Sequence, residues 1–204
     1  MLLARDELLA VGLASVGEDV RVTPQSPEGG SAVRFRPIEA GDAQRMWNWV
    51  SDVTIRSNLG LRSHPSLEKT LAWITKSTTD PSVRGMAILA EGEHVGNVVL
   101  DGIDPSVSTA RLSIYLGVDS ARGRGIGLAS TRHALNVAFH ELLLNKVWLI
   151  VHCKNMAAIR TYYSAGFSLE GILREEFPFE GRLDDCVRMG ITHRDYRHLS
   201  ETST

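Results

Sequence analysis

One stretch, Ala110 to Gly127, constrains this chain more than any other: A-R-L-S-I-Y-L-G-V-D-S-A-R-G-R-G-I-G. Its first half, Ala110 to Val118, alternates small or polar residues with Leu112, Ile114, Leu116 and Val118, the period-2 signature of a half-buried strand. Its second half, Arg122, Gly123, Arg124, Gly125 and Gly127, lies between that strand and an apolar-periodic run from Ile126 through Leu135, Val137 and Phe139, which reads as a helix to about Leu143. A strand that enters a helix through glycines brings unobstructed backbone N–H groups to the positive end of the helix, so this turn is expected to bind an anion such as a phosphate.

Two hundred and four residues, 43% of them hydrophobic, with a formal charge of −2, bound the chain to one ordinary globular domain with a sizeable core. That charge gives no reason to expect a nucleic-acid partner, so the two arginines should act locally. Cys153 and Cys186 form neither a metal-type spacing nor a disulfide framework, and no metal site is expected; a reducing cytoplasm fits them best. The first residues are apolar in part, but Arg5, Asp6 and Glu7 interrupt them, and no run approaches the roughly 18 residues of a membrane span.

In order, residues 1–31 read as an N-terminal arm rich in valine and leucine followed by a Pro/Gly/Ser linker, which could dock on its own domain or support a homodimer. A domain is expected over residues 32–198, with residues 199–204 as a tail. It opens with a strand at Val33 to Ile38, a helix entry at Gly41 and Asp42, and a helix carrying Met46, Trp47, Trp49 and Val50. Thr54 to Pro65 shows no clean period and reads as an irregular loop, a candidate substrate wall before a helix over Ser66 to Thr78. Met86 to Glu91 and His94 to Asp101 flank Gly92 and Glu93 as a hairpin, and with the Ala110 to Val118 strand, which follows the turn at Asp104 to Ser106, they make an antiparallel meander. Lys146 to Cys153 is apolar enough for a central strand buried on both faces. Asn155 then caps a short helix that ends at Gly166, and Phe167 to Glu176 and Arg182 to Thr192 form a last strand pair.

Two motifs thus stand in a fixed order: Arg122-x-x-Gly125-x-Gly127 after one strand, and Asn155-x-x-Ala158-Ile159-x-x-Tyr162-x-x-x-Gly166-Phe167 after the next. Together they resemble the GNAT superfamily of acyl-CoA-dependent N-acyltransferases over about residues 33–192. Arg34 to Ile38, Trp49 to Val53, Glu170 to Arg174 and Arg188 to Gly190 resemble the branch that holds ribosomal-protein N-terminal, polyamine and amino-sugar acetyltransferases. The glycine turn lacks the lysine and hydroxyl of a P-loop and the G-x-G-x-x-G of a dinucleotide fold. The resemblance implies an α/β fold, with a mixed, mainly antiparallel sheet of about six to seven strands and about four flanking helices.

It also implies an acetyl-CoA-dependent N-acetyltransferase acting on the primary amine of a small molecule or peptide by direct attack in a ternary complex. Arg122, Gly123, Arg124, Gly125, Ile126 and Gly127 would hold the pyrophosphate with their backbone amides. Leu116, Gly117 and Val118 would pair with the pantetheine arm, which Asn155 would also contact, and Tyr162 would be the general acid. Members that acetylate protein N-termini often carry a carboxylate five residues before the motif asparagine; here that residue is Ile150. Asp101, Ser113 and His94 stand as substitute bases. The Ile150 departure keeps open a different class of function, a non-catalytic acyl-CoA sensor. Arg56, Asn58 and Glu176 are candidate acceptor contacts: Glu175, Glu176, Glu180, Asp184 and Asp185 would attract a cationic amine, whereas Arg56, Arg62 and His64 suit a phosphate-bearing one.

Overall fold

The computed structural model describes residues 33–62 and 65–201. The arm and linker over 1–31, His64, and the last residues of the tail lie outside the described residues. Seven strands form one sheet: β1 (Arg34–Pro37), β2 (Val83–Ala90), β3 (Glu93–Asp104), β4 (Thr109–Leu116), β5 (Lys146–His152), β6 (Ser168–Phe179) and β7 (Arg182–Thr192). Their spatial order is β1-β2-β3-β4-β5-β7-β6. Every neighbouring pair is antiparallel except β4 and β5. The meander is therefore present, and its hairpin turns on Glu91 and Gly92, both with positive φ, one residue earlier than the sequence pattern suggests.

Six α-helices are described: α1 (Ala43–Ser51), α2 (Val53–Asn58), α3 (Leu67–Thr79), α4 (Ile126–Asn136), α5 (Met156–Ser164) and α6 (His193–Glu201). Two of them exceed the four expected. Helix α2 occupies the first part of the stretch read as an irregular loop. It is short but capped, because the Asp52 carboxylate accepts from Thr54 N at 2.8 Å and Ile55 N at 3.0 Å. Helix α6 follows β7 directly and runs past residue 198. Helix α4 ends sooner than its apolar period, in a π turn over Val137–Glu141 closed by Leu142 N donating to Val137 O at 2.9 Å.

The sheet is covered unevenly. On one face a continuous core joins Leu100, Leu112, Val147, Leu149 and Ile191 to Leu135 and Phe139 of the α4 segment and to Ile159 of α5. On the other, a smaller cluster of Ile38, Met46, Ile74 and Ala87 seats α1 and α3 over the β1–β3 half only. The expectation that β5 is buried on both faces is corrected by this asymmetry. Val147, Leu149 and Val151 are buried, while Trp148 and Ile150 on the opposite face are only half-buried.

Candidate active site

The site begins where β4 and β5 part. They are paired only over Thr109–Arg111 and Lys146–Trp148 and then diverge. Gly117 N donates to Val95 O at 2.8 Å. Backbone alternation along β4 then turns the N–H and C=O groups of Ile114 and Leu116 away from β3 and into the gap. On β5, Cys153 N donates to Asp185 O at 3.2 Å, so the amides of Ile150 and His152 face the gap from the other side. Both strands offer open edges to a third, extended chain.

At the end of β4 the glycine turn is built as a cradle. Gly123 and Gly125 have φ of +72° and +75°, and a Cβ added at either would meet nothing within 4 Å, so glycine serves the backbone conformation there. Among the described residues, no N–H from Gly123 to Leu128 donates to a protein acceptor. Six consecutive amides at the start of α4 are thereby open to an anion. Gly127 leaves the cradle clear on the protein side: a Cβ there would meet only Thr161 Cγ2, at 3.8 Å. Arg122 departs from its expected role in one respect, since its N–H is already used on Asp119 O at 3.0 Å. The side chains of both arginines are tied as well, Arg122 to Asp119 at 3.1 Å and to Leu116 O at 3.4 Å, and Arg124 to Glu91. They brace the loop against the end of β4 and the β2–β3 hairpin.

Gly117 is a different kind of glycine. A side chain there would overlap the Trp49 ring, which wedges α1 against the end of β4. Trp49 in turn meets the edges of His94 and Tyr115, with ring centroids 4.9 and 6.2 Å away. Behind it runs a buried polar chain. Arg36 donates twice to Asp42 at 2.7 Å, Asp42 Oδ1 lies 3.0 Å from His94 Nδ1, His94 Nε2 lies 3.0 Å from Asn97 Oδ1, and Asn97 Nδ2 lies 2.7 Å from Tyr115 Oη. Burial would raise the Asp42 carboxyl, but the Arg36 hydrogen bonds, the Glu39 N–H and the charges of His94 and Arg36 outweigh it and hold the group at about 2. His94 is thus a member of this chain, and it does not line the cavity where a base would have to act.

That cavity, about 960 Å³, opens on the uncovered face of the sheet beside the gap. A smaller one of about 120 Å³ lies within the gap, bounded by Ile114, Leu116, Gly127 and Thr161. Tyr162 borders both. It is 6% exposed and packs against Phe167, while its hydroxyl has no hydrogen-bond partner among the described residues. Burial drives its phenol well above the ordinary value, so it stays a proton donor at neutral pH. Asn155 caps α5, its Oδ1 accepting from Ala158 N at 3.2 Å, and its Nδ2 reaches Asn58 Oδ1 at 3.4 Å across the cavity.

The remaining candidates divide. Asp101 and Ser113 line the cavity, but Asp101 is held in a two-point pair by Arg111 at 2.8 and 2.9 Å. Ile150 lines it as an apolar wall. Arg56 does not line it; its guanidinium donates instead to Ser51 O at 3.0 Å. Of the five acidic residues near the β6–β7 turn, only Glu176 reaches the cavity. Asp184 is engaged by His152 at 3.2 Å and Lys154 at 3.3 Å, and Asp185 accepts from Glu175 N at 2.9 Å. A lining residue the sequence reading missed is Lys69, which looks like any solvent-facing helical lysine. Phe177 lines the cavity as well; it stacks over His152 at 5.6 Å and meets the position a Gly60 side chain would take.

A parted parallel strand pair, an open amide cradle at a helix start and a buried tyrosine between them make up the candidate site. The chain belongs to the GNAT acetyltransferase family, whose domain model matches residues 32–168. It is an acetyl-CoA-dependent N-acetyltransferase that transfers acetyl to a primary amine. Its similar proteins include spermidine N(1)-acetyltransferases of Escherichia coli K12, 27% identical over 173 residues covering 85% of this chain and 91% of that protein, and of Vibrio cholerae, 28% identical and covering 84% and 99%. A crystal structure of the Vibrio cholerae spermidine N-acetyltransferase with CoA and spermine superposes with a TM-score of 0.76 at 27% identity, over 81% of this chain and 98% of that one. No helix among the described residues is long and apolar enough to cross a membrane.

Proposed function

We propose that the 960 Å³ cavity is the acceptor site, that the cradle and the β4–β5 gap hold acetyl-CoA, and that Tyr162 is the general acid between them. The observation that carries this reading is the position of Tyr162, bordering both cavities with a hydroxyl that no described residue engages. The amides of residues 123–128 hold the pyrophosphate, and the open edges of Ile114 and Leu116 pair with the pantetheine amides. Acetyl-CoA supplies the acetyl group as a thioester: a neutral amine attacks its carbonyl carbon, the C–N bond forms, the C–S bond breaks, and an amide and the CoA thiol result.

The chain's own residues have two tasks in that exchange. A backbone N–H at the end of β4 donates to the carbonyl oxygen as negative charge develops on it, and Tyr162 gives its proton to the leaving sulfur. The proton lost by the amine passes through water to Glu176 or Asp101, the two carboxylates that line the acceptor cavity. The relatives named for spermidine make polyamines the first acceptors to assay. Thiol release from acetyl-CoA, followed across polyamines, amino sugars and N-terminal peptides, tests the reaction. Tyr162→Phe is expected to lower kcat by about 100-fold with acetyl-CoA affinity kept; unchanged turnover would remove Tyr162 as the acid.

A further inference from the structure

Phe177 lines the cavity from a part of the sheet with little backbone support. Beyond the His152–Cys186 pair β5 has ended, and Phe177, Pro178 and Phe179 pair with β7 alone, through Asp184, Leu183 and Arg182. A bulge sets these pairs apart from the rest of β6: Arg174, Glu175 and Glu176 stand against Asp185 alone, and Glu175 takes a φ of +51°. Cys153 N, donating to Asp185 O at 3.2 Å, ties the root of this extension to the end of β5. Past that point, among the described residues, its hold on β5 is made by side chains. His152, the last residue of β5, supplies it. The residue is 2% exposed and does not line the cavity. Its ring stacks with Phe179 at 4.0 Å between centroids and with Phe177 at 5.6 Å, the planes within 14° and 25° of parallel. Its Nε2 donates to Asp184 Oδ2 at 3.2 Å, which fixes the ring's orientation, and Lys154 holds the same carboxylate at 3.3 Å. Phe177 also packs on the backbone at Gly60, where an added Cβ would lie 3.2 Å from its Cε2 and Cζ.

Resting on the reading of this cavity as the acceptor site, we propose that His152 is a positioning residue for the acceptor, acting through Phe177, whose ring it holds in the cavity wall. An imidazole suits the task because it joins a flat face for stacking to an edge N–H for Asp184; an aliphatic residue of similar volume has neither. Once the stack is lost, Phe177 gains rotamers that the acceptor must freeze on binding. The loss then falls on acceptor affinity and not on the chemical step.

The test uses the full chain and follows thiol release at saturating acetyl-CoA with spermidine, glucosamine and an alanyl peptide as acceptors, carrying the fastest forward. Phe177→Ala is expected to raise the acceptor KM about tenfold. His152→Ala does nearly the same, while kcat and the Kd for acetyl-CoA move by less than about threefold. In the double variant the two effects do not add, because one acts through the other. His152→Phe, which keeps a stacking ring, holds KM near the parent's. His152→Gln, which keeps a donor for Asp184 and loses the ring, raises it as alanine does, and these two variants decide the matter if His152→Ala does not fold. A rise in KM for Phe177→Ala with none for the alanine or glutamine variant of His152, or effects that add in the double variant, would overturn the inference and leave the acceptor reading standing. A KM that Phe177→Ala does not move, or binding of acetyl-CoA without thiol release for any of the amines, would instead bring down the acceptor reading, and this inference with it.

Discussion

At the scale of single residues, glycines separate what serves the fold from what serves the ligand. Gly117 has no room for a side chain because Trp49 fills the space. Gly127 has room, an ordinary helical φ and nothing but Thr161 Cγ2 nearby. Gly127→Ala is therefore expected to leave the free protein as stable or up to about 1 kcal/mol more stable, since alanine favours a helix that glycine does not. With acetyl-CoA held as proposed, the same methyl group would crowd its pyrophosphate, so acetyl-CoA should bind at least tenfold more weakly, a cost of about 1.4 kcal/mol. Denaturant midpoints with titration calorimetry check both halves, and unchanged affinity would mean that the cradle does not hold the ligand. This distinction was not legible in the sequence, where Gly117 and Gly127 are two glycines of one stretch and look alike. Tyr162 and Asn155 were legible because a motif spacing fixes them to one short helix. Arg56 and Lys69 were not, because which face of a surface helix lines a cavity depends on what that helix packs against. Arg56 bends back to the Ser51 carbonyl at the end of α1, whereas Lys69 borders the cavity.

At the scale of elements, the site depends on keeping β4 and β5 apart beyond Arg111 and Trp148. Order along the chain and apolar period were enough to foresee the meander, the crossover through α4 and the last strand pair. They did not show the parting itself, which no local pattern encodes, nor α2, whose signal was the single cap Asp52. The end of β4 is held by Trp49, and Trp49 by the chain from Arg36 to Tyr115. Asp42, which the sequence showed only as a helix entry, is the hub of that chain. Its folded carboxyl at about 2 lies below the ordinary 3.8, so the group adds stability above about pH 4 and loses it as pH falls towards 2. The linkage amounts to about 2 kcal/mol. Asp42→Asn should lower unfolding free energy by about 2–3 kcal/mol at pH 7, with the gap from the parent narrowing towards pH 2. Urea unfolding at both ends of that range measures it; a gap that stays constant with pH would show that Asp42 acts through packing alone.

At the scale of the whole molecule, the uneven cover of the sheet sets where chemistry can happen. Helices α4, α5 and α6 close one face, α1 and α3 close half of the other, and the 960 Å³ cavity lies at the edge of the part left open. Acetyl-CoA held as proposed would join three elements that touch one another only in part: the start of α4, the end of β4, and α5 beyond β5. A ligand that bridges them should stabilise the fold as a unit. At a concentration 100 times its Kd it adds about 2.7 kcal/mol, which for a domain of this size raises the thermal midpoint by roughly 5–10 °C. Acetyl-pantetheine, which keeps the thioester and the amides but lacks the pyrophosphate, should give a much smaller rise at the same concentration, because the six open amides of the cradle then have no anion to meet. Adding salt should erode the rise with acetyl-CoA more than the small one with acetyl-pantetheine, since an exposed anion site is screened. Equal rises for the two ligands would place the binding free energy in the β4–β5 gap and leave the glycine turn as a structural corner.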